Sequence, residues 1–157
     1  MKGLLLLRHA KTIPVEAGGF DFDRTLTERG IADATRVGRY IHEHQIRFEF
    51  VISSAAKRAR QTTELMMQAA EINVEALYDR RLYEAGPQQL LEVVTTIDSQ
   101  RESALLVGHN PGLEDLLRLL TGGSESMSTS TLALIDVAAD DWKLVPGICK
   151  LNWIVTP

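Results

Sequence analysis

Two short apolar runs constrain this chain more than anything else in it. "GLLLL" (residues 3 to 7) and "SALLVGH" (103 to 109) are continuously apolar rather than alternating, and too short for ordinary helices. A strand that is apolar at successive positions needs cover on both faces. Helix layers on either side of a mostly parallel sheet supply that cover. Helical periodicity recurs between and after the runs. "LTERGIADATRVGRYIHEH" predicts a helix with Thr27 as N-cap and Ile31, Ala34, Val37 and Ile41 inward, although Thr25 and Glu28 also have capping-box spacing. "FEFVISS" predicts a strand over 48 to 53, followed by a helix from Ala56 to Ala70, and "INVEAL" a short third strand. "PQQLLEVVTTI" predicts a helix with Pro87 in its first turn and Leu90, Leu91, Val94 and Ile97 inward. "PGLEDLLRLLTGG" predicts another, with Leu113, Leu116, Leu117 and Leu120 on one face and Gly122 as its stop. The tail changes character. "STLALIDVA", "WKLVPG" and "CKLNWIVT" read as strands without intervening helices, forming an edge hairpin or meander. The expectation is an α/β protein, a three-layer α/β/α sandwich around a mostly parallel sheet, in one domain over 1–157.

Composition sets the class of partner. Apolar residues at 45% and charged residues at 24% give a folded chain rather than a disordered one. A net charge of −4 supplies no basic field for nucleic acid or an anionic membrane. Any anion must therefore be held by a local cation cluster. Cys149 is the single cysteine, so no internal disulfide and no cysteine-rich zinc framework can form. Leu4–Leu7 is too short for a secretory core and lacks a small-residue cleavage site, and no run approaches membrane-spanning length. A cytoplasmic protein is expected, and a monomer.

In a parallel sheet of this kind ligands sit beyond the carboxyl ends of the strands. Arg8 and His9 follow the first strand. Ser53, Ser54 and then Arg58 follow the second; Glu84 follows the third; His109 and Asn110 follow the "ALLVGH" strand. Two histidines, several arginines and a carboxylate could thus converge on one edge of the sheet. Arginine forks onto phosphate oxygens, and positioned cations stabilise the charge spread over a transferring phosphoryl group. A neutral imidazole is a competent nucleophile near pH 7. A second, protonated histidine can bind phosphate oxygens without a metal, and a carboxylic acid of raised pKa can protonate a leaving group. Taken singly, each residue has a plainer reading. Arg8 and His9 could be a strand end meeting water, His109 a core or capping histidine, and Glu84 a surface carboxylate. Lys57 and Arg60 read as surface, and Thr12 equally as structural. His42 and His44 are two apart on a helix, do not share a face, and are not expected to bind metal. Ser53 and Ser54 lack the glycine pattern of a nucleophile elbow.

These residues resemble a known family. "LLLLRHAKT" resembles the Arg-His-Gly signature of the histidine phosphatase superfamily, also called phosphoglycerate-mutase-like. "VISSAAKRARQT" resembles its second motif, and "LLVGHNPG" the motif carrying its second histidine. The chain's length, "DRTLTERG" and "VGHNPGLEDL" make it similar to the SixA-type phosphohistidine phosphatase branch. The resemblance implies that His9 is the nucleophile that becomes phosphorylated. Arg8, Arg58 and His109 complete a phosphate pocket, with the Asn110 backbone N–H and Arg24 as further phosphate or substrate contacts. It implies Glu84 as general acid, by analogy with larger relatives, although a phosphoramidate needs such help less than an ester does. It also implies metal-independent hydrolysis without a cofactor. The substrate would be a phosphohistidine protein, the alternatives being a small phosphomonoester or a non-catalytic phosphate-binding module. Three positions depart from the family pattern: Ala10 for glycine, Ala55 for proline and Val15 for an asparagine. Alanine at position 10 is costly only where the backbone needs positive φ.

Overall fold

The computed structural model describes residues 1–157. Six strands form one sheet in the order β3-β2-β4-β1-β5-β6. They are β1 (Lys2–Arg8), β2 (Val51–Ser54), β3 (Ala76–Asp79), β4 (Ser103–Gly108), β5 (Leu132–Val137) and β6 (Cys149–Val155). The first four are mutually parallel; β5 runs antiparallel to β1, and β6 antiparallel to β5. The helices are α1 (Glu28–Glu43), α2 (Lys57–Ala70), α3 (Pro87–Val94) and α4 (Gly112–Thr121), with short 3-10 turns at Asp21–Asp23 and Arg80–Leu82.

The leucine run now has a physical account. Side chains alternate across a strand, so Leu4 and Leu6 enter the core under α3 and α4, while Leu5 and Leu7 enter the core under α1 and α2. All four are at most 1% exposed. At about 1.5–3 kcal/mol per buried leucine, this strand anchors both layers at once.

Several elements differ from the sequence expectation. In α1 the inward residues are Gly30, Ala34, Val37, Gly38 and Ile41, whereas Ile31 is 43% exposed. The helix is rotated because it packs backbone to backbone. A Cβ at Gly30 would collide with the Lys11 carbonyl, and one at Gly38 with the Met66 carbonyl. Thr27 does cap α1, its hydroxyl accepting from Gly30 N–H at 2.9 Å. The third strand starts at Ala76 rather than Ile72, because residues 72 to 75 pack Ile72 and Val74 against the α1/α2 core before ladder pairing with β2 begins. In α3 the buried residues are Leu90, Val93 and Val94, with Leu91 only half-buried, and the helix stops at Val94 while Ile97 remains buried in the turn beyond. "WKLVPG" is a loop and not a strand. Trp142 plugs the core there at 1% exposure, its indole N–H donating to the Arg101 carbonyl at 3.1 Å.

The chain leaves β1 toward β2 on one side of the sheet and leaves β4 toward β5 on the other. The switch point of the sheet therefore lies between β1 and β4, where such folds open a crevice. Arg8 is paired with Gly108 at the end of that ladder, so His9 and His109 are the next residues on two neighbouring strands.

Candidate active site

The β1/β4 register sets the two histidines face to face. Their ring centroids are 5.1 Å apart, with the planes tilted by 53°. His9 is 7% exposed and is held from three sides. Its backbone N–H donates to the Gly108 carbonyl at 3.1 Å, and the next N–H, of Ala10, donates to Thr62 Oγ1 at 3.0 Å. Its ring Nδ1 lies 2.8 Å from the Ala10 carbonyl. A carbonyl only accepts, so Nδ1 carries the proton and Nε2 keeps its lone pair. Burial, and then the charges of Arg58, Arg8 and Arg24, push the His9 pKa down to about 4, so the ring is neutral at pH 7.

His109 is held in the same Nδ1–H tautomer. Its Nε2 lies 2.7 Å from Ser54 Oγ, and that oxygen already accepts from Ala56 N–H at 3.2 Å. The Ser54 proton is thus free to donate to Nε2, leaving Nδ1 as the N–H. Burial, followed by the proximity of His9 and Arg58, pushes His109 down to about 3. Contrary to the expectation of a protonated second histidine, His109 is a neutral donor here. A phosphate dianion beside it would raise its pKa again.

Two arginines complete the floor. Arg8 donates from one terminal nitrogen to the Met127 carbonyl at 3.0 Å. Arg58, on the first turn of α2 and 6% exposed, donates to the Asp21 carbonyl at 2.8 Å and to Asp21 Oδ2 at 3.0 Å. In each guanidinium the Nε–H is buried without a partner, as is His109 Nδ1. Buried polar atoms are nearly always hydrogen-bonded. Three such orphans, on the groups surrounding His9, mark where an anion would be held. Asn110 also contributes through its side chain. Its side chain ties Glu114 Oε1 (2.9 Å) to the Met127 carbonyl (2.7 Å), the same carbonyl that holds Arg8, while its backbone N–H has no partner in the protein.

Arg24 lies at the rim, donating to the Ile13 carbonyl (2.8 Å), to Thr12 Oγ1 and to Asp21 Oδ1 (3.1 Å). Glu84 is not brought to the histidines. It is exposed, sits at φ 54°, makes no hydrogen bond or ion pair, and lines a surface hollow with Arg80, Arg81 and Gln89. The residue before it turns inward instead. The Tyr83 ring stands edge-on to His109 at 5.7 Å, and its hydroxyl donates to Asp21 Oδ2 at 2.6 Å. Sequence reasoning missed both Tyr83 and Asp21. The only signals were their places beside Glu84 and three residues before Arg24. Arg60, in contrast, stacks over Tyr78 at 4.3 Å, outside the site. Lys11 is exposed and lines a polar hollow with Arg29, Asp33 and Arg36.

The departures at 10 and 55 are harmless. Ala10 does not adopt positive φ and is fully buried against Leu26 and Ala34. Ala55 uses the N–H that a proline would lack, donating to the Asp79 carbonyl at 3.3 Å. Val15 is simply exposed. No helix is long and apolar enough to cross a membrane.

Residues 4–103 match the family model of the histidine phosphatase superfamily (branch 1). A Mycobacterium tuberculosis protein, itself uncharacterised, is 31% identical over 156 residues, spanning 92% of this chain and 96% of its own. Among solved structures, the Agrobacterium tumefaciens protein provisionally named phosphohistidine phosphatase SixA superposes with a TM-score of 0.86 and 29% identity over 99% of both chains. The protein histidine phosphatase SixA complexed with tungstate has the same fold, with a TM-score of 0.81 and 22% identity over 99% of this chain and 97% of its own. A model match across well over half of the sequence, carried on a fold shared end to end, means that the chain belongs to the histidine phosphatase superfamily, in its SixA-type group, and is a phosphatase.

Proposed function

We propose that this phosphatase works through a phosphohistidine intermediate on His9, without a metal, and that its substrate is a phosphohistidine side chain on a protein. The observation that carries the first part is the ring of unpartnered buried donors, Arg8 Nε, Arg58 Nε and His109 Nδ1, around a histidine whose Nε2 lone pair is free. His9 Nε2 attacks phosphorus, and the P–X bond electrons leave with the leaving atom. The two guanidinium groups and the His109 N–H stabilise charge on the equatorial oxygens. The partnerless Asn110 N–H adds a donor, and Arg24 a cation at the rim. Water then attacks phospho-His9, returning the free imidazole and inorganic phosphate.

The leaving group supports the substrate class. Asp21 is held at about 2, first by the Tyr83 hydrogen bond and then by its arginine partners, so it is ionised and cannot act as an acid at neutral pH. Tyr83 is pushed up to about 12 by burial and by Asp21. Glu84 is exposed and makes no hydrogen bond or ion pair. A site short of acids at neutral pH suits a leaving group that needs no proton at its departing atom, which an N-phosphoimidazolium provides and an alkyl ester does not. The SixA-type likeness points the same way.

The test is a trapping experiment. Brief incubation with labelled substrate should give an acid-labile, alkali-stable phosphoenzyme, absent in His9→Ala, whose turnover falls by at least about 10³-fold. An acid-stable adduct would overturn the nucleophile. For the substrate, a phosphohistidine protein should be hydrolysed faster than a panel of sugar and nucleotide monophosphates, with a chelator making no difference. Preference for a monophosphate would move the enzyme to the small-molecule class.

A further inference from the structure

Asp21 is the one carboxylate hydrogen-bonded to the phosphate-site arginine Arg58, and it takes no part in the mechanism so far. It stands on the 3-10 turn between β1 and α1, with its side chain 42% exposed. Arg24 donates to its Oδ1, and Arg58 and Tyr83 to its Oδ2. The charged and titratable groups facing it are therefore Arg24 from its own segment, Arg58 from α2, Tyr83 from the turn after β3 and, a little further off, His109 after β4. An ionised carboxylate offers about four lone-pair positions. Three are used, and the fourth, on Oδ1, belongs to an accessible side chain beside the reacting groups. Glu114, the other carboxylate near Arg8, is committed to Asn110 and the Met127 N–H.

Resting on the phosphohistidine reading above, we propose that Asp21 is the leaving-group receptor, accepting the distal ring N–H of the departing imidazole and so selecting N-phosphoimidazoles over phosphate esters. The balance is simple. The substrate ring carries phosphorus on one nitrogen and a proton on the other. Hydrogen bonding of that proton to a carboxylate favours the imidazolium form. As the His9 Nε2–P bond forms, the P–N bond breaks and its electron pair stays on the ring nitrogen. The ring leaves as neutral imidazole, still protonated at the distal nitrogen, and no proton is delivered to the leaving atom. An alkoxide gains nothing from a carboxylate in this place and is repelled by it. Selection is thus by chemistry of the leaving group rather than by pocket shape.

The experiment compares Asp21→Asn with the natural protein on a phosphohistidine protein and on p-nitrophenyl phosphate, whose leaving group needs no proton. The expected result is a loss in kcat/KM that is about ten-fold or more greater on phosphohistidine than on the aryl ester. The pH profile adds a readout that mere support of Arg58 would not move. On phosphohistidine, the alkaline fall in kcat, which reports ionisation of the bound ring, should shift to lower pH in Asp21→Asn, while the aryl-ester profile keeps its shape. Equal losses on both substrates, with unshifted profiles, would overturn the proposal and leave Asp21 as a brace for Arg58. If Asp21→Asn does not fold, Asp21→Ala, which also lacks the carboxylate, carries the same comparison, and an unchanged substrate ratio together with an unshifted profile there overturns it. Failure of the natural protein to hydrolyse phosphohistidine at all would instead sink the substrate reading, and this inference with it.

Discussion

The floor and the rim of the site are built by different means. The floor (His9, His109, Arg8 and Arg58) hangs on strand ends and the first turn of a helix, and its positions follow from the ladder between β1 and β4. The rim (Asp21, Arg24, Tyr83 and Glu84) comes from a long connection and a short turn, held by side-chain hydrogen bonds. His9 and Arg58 on the floor are buried, the Arg58 side chain at 7% exposure, and Arg8 and His109 are half-buried, whereas the Asp21 side chain is at 42%. Charges act most strongly where water is excluded. The floor therefore has the power to stabilise a transferring phosphoryl group, and the rim the freedom to discriminate what leaves.

That division can be broken in order of expected effect. Arg58→Ala removes a buried cation from the floor and should lower kcat/KM by about 10²–10³-fold on any phosphate substrate. A smaller loss than Asp21→Asn causes on p-nitrophenyl phosphate would invert the roles of floor and rim. Ser54→Ala removes the hydroxyl that fixes the His109 tautomer, and about a ten-fold fall is expected from one lost hydrogen bond to a reacting group. If its rate matches that of the natural protein, the tautomer argument fails.

Acid stability separates the two regions without a substrate. His9 and His109 have folded pKa values of about 4 and about 3, depressed below the ordinary imidazole value near 6.5. The unfolded chain binds protons first, so their contribution is complete above about pH 6.5 and is lost as pH falls from there toward 4 and then 3. Asp21, at about 2, contributes fully above the ordinary carboxylate value and loses its share only between about pH 4 and 2. Melting temperature should thus fall in two stages. In His109→Gln the decline between pH 6.5 and 4 should be shallower; an unaltered slope would show that the floor histidine is not the sensor. The smallest effect is expected of Glu84→Gln, within about two-fold on both substrate classes, because the carboxylate is exposed and has no hydrogen-bond or ion-pair partner. A large loss there would restore Glu84 as the acid and remake the rim.

The floor was legible in the sequence, whereas Asp21 and Tyr83 of the rim were not, for one reason. Strand-end positions follow from apolar runs, so Arg8, His9 and His109 could be set at one edge of a sheet before any coordinates. Asp21 and Tyr83 owe their places to where loops fold back, which no periodicity encodes. The same limit explains the smaller misses. Ile31 lay on the correct helix, but the close approach of Gly30 to the Lys11 backbone set the rotation. Trp142 read as part of a strand because its apolar neighbours permit one, while its indole is in fact a plug over the Arg101 carbonyl.

Three of the site's key orientations are anchored on main-chain oxygens: His9 on Ala10, Arg8 on Met127 and Arg58 on Asp21. Such anchors belong to every amino acid alike. The carbonyl anchors themselves do not depend on the side chains at those positions, although Ala10 and Met127 are also fixed by complete burial and Asp21 by its carboxylate contact with Arg58. The instruction for aiming this site is thereby stored in the route of the backbone, a form of memory that point substitutions erase slowly. For engineering, insertions or deletions in the segments carrying those carbonyls would put the aim at risk.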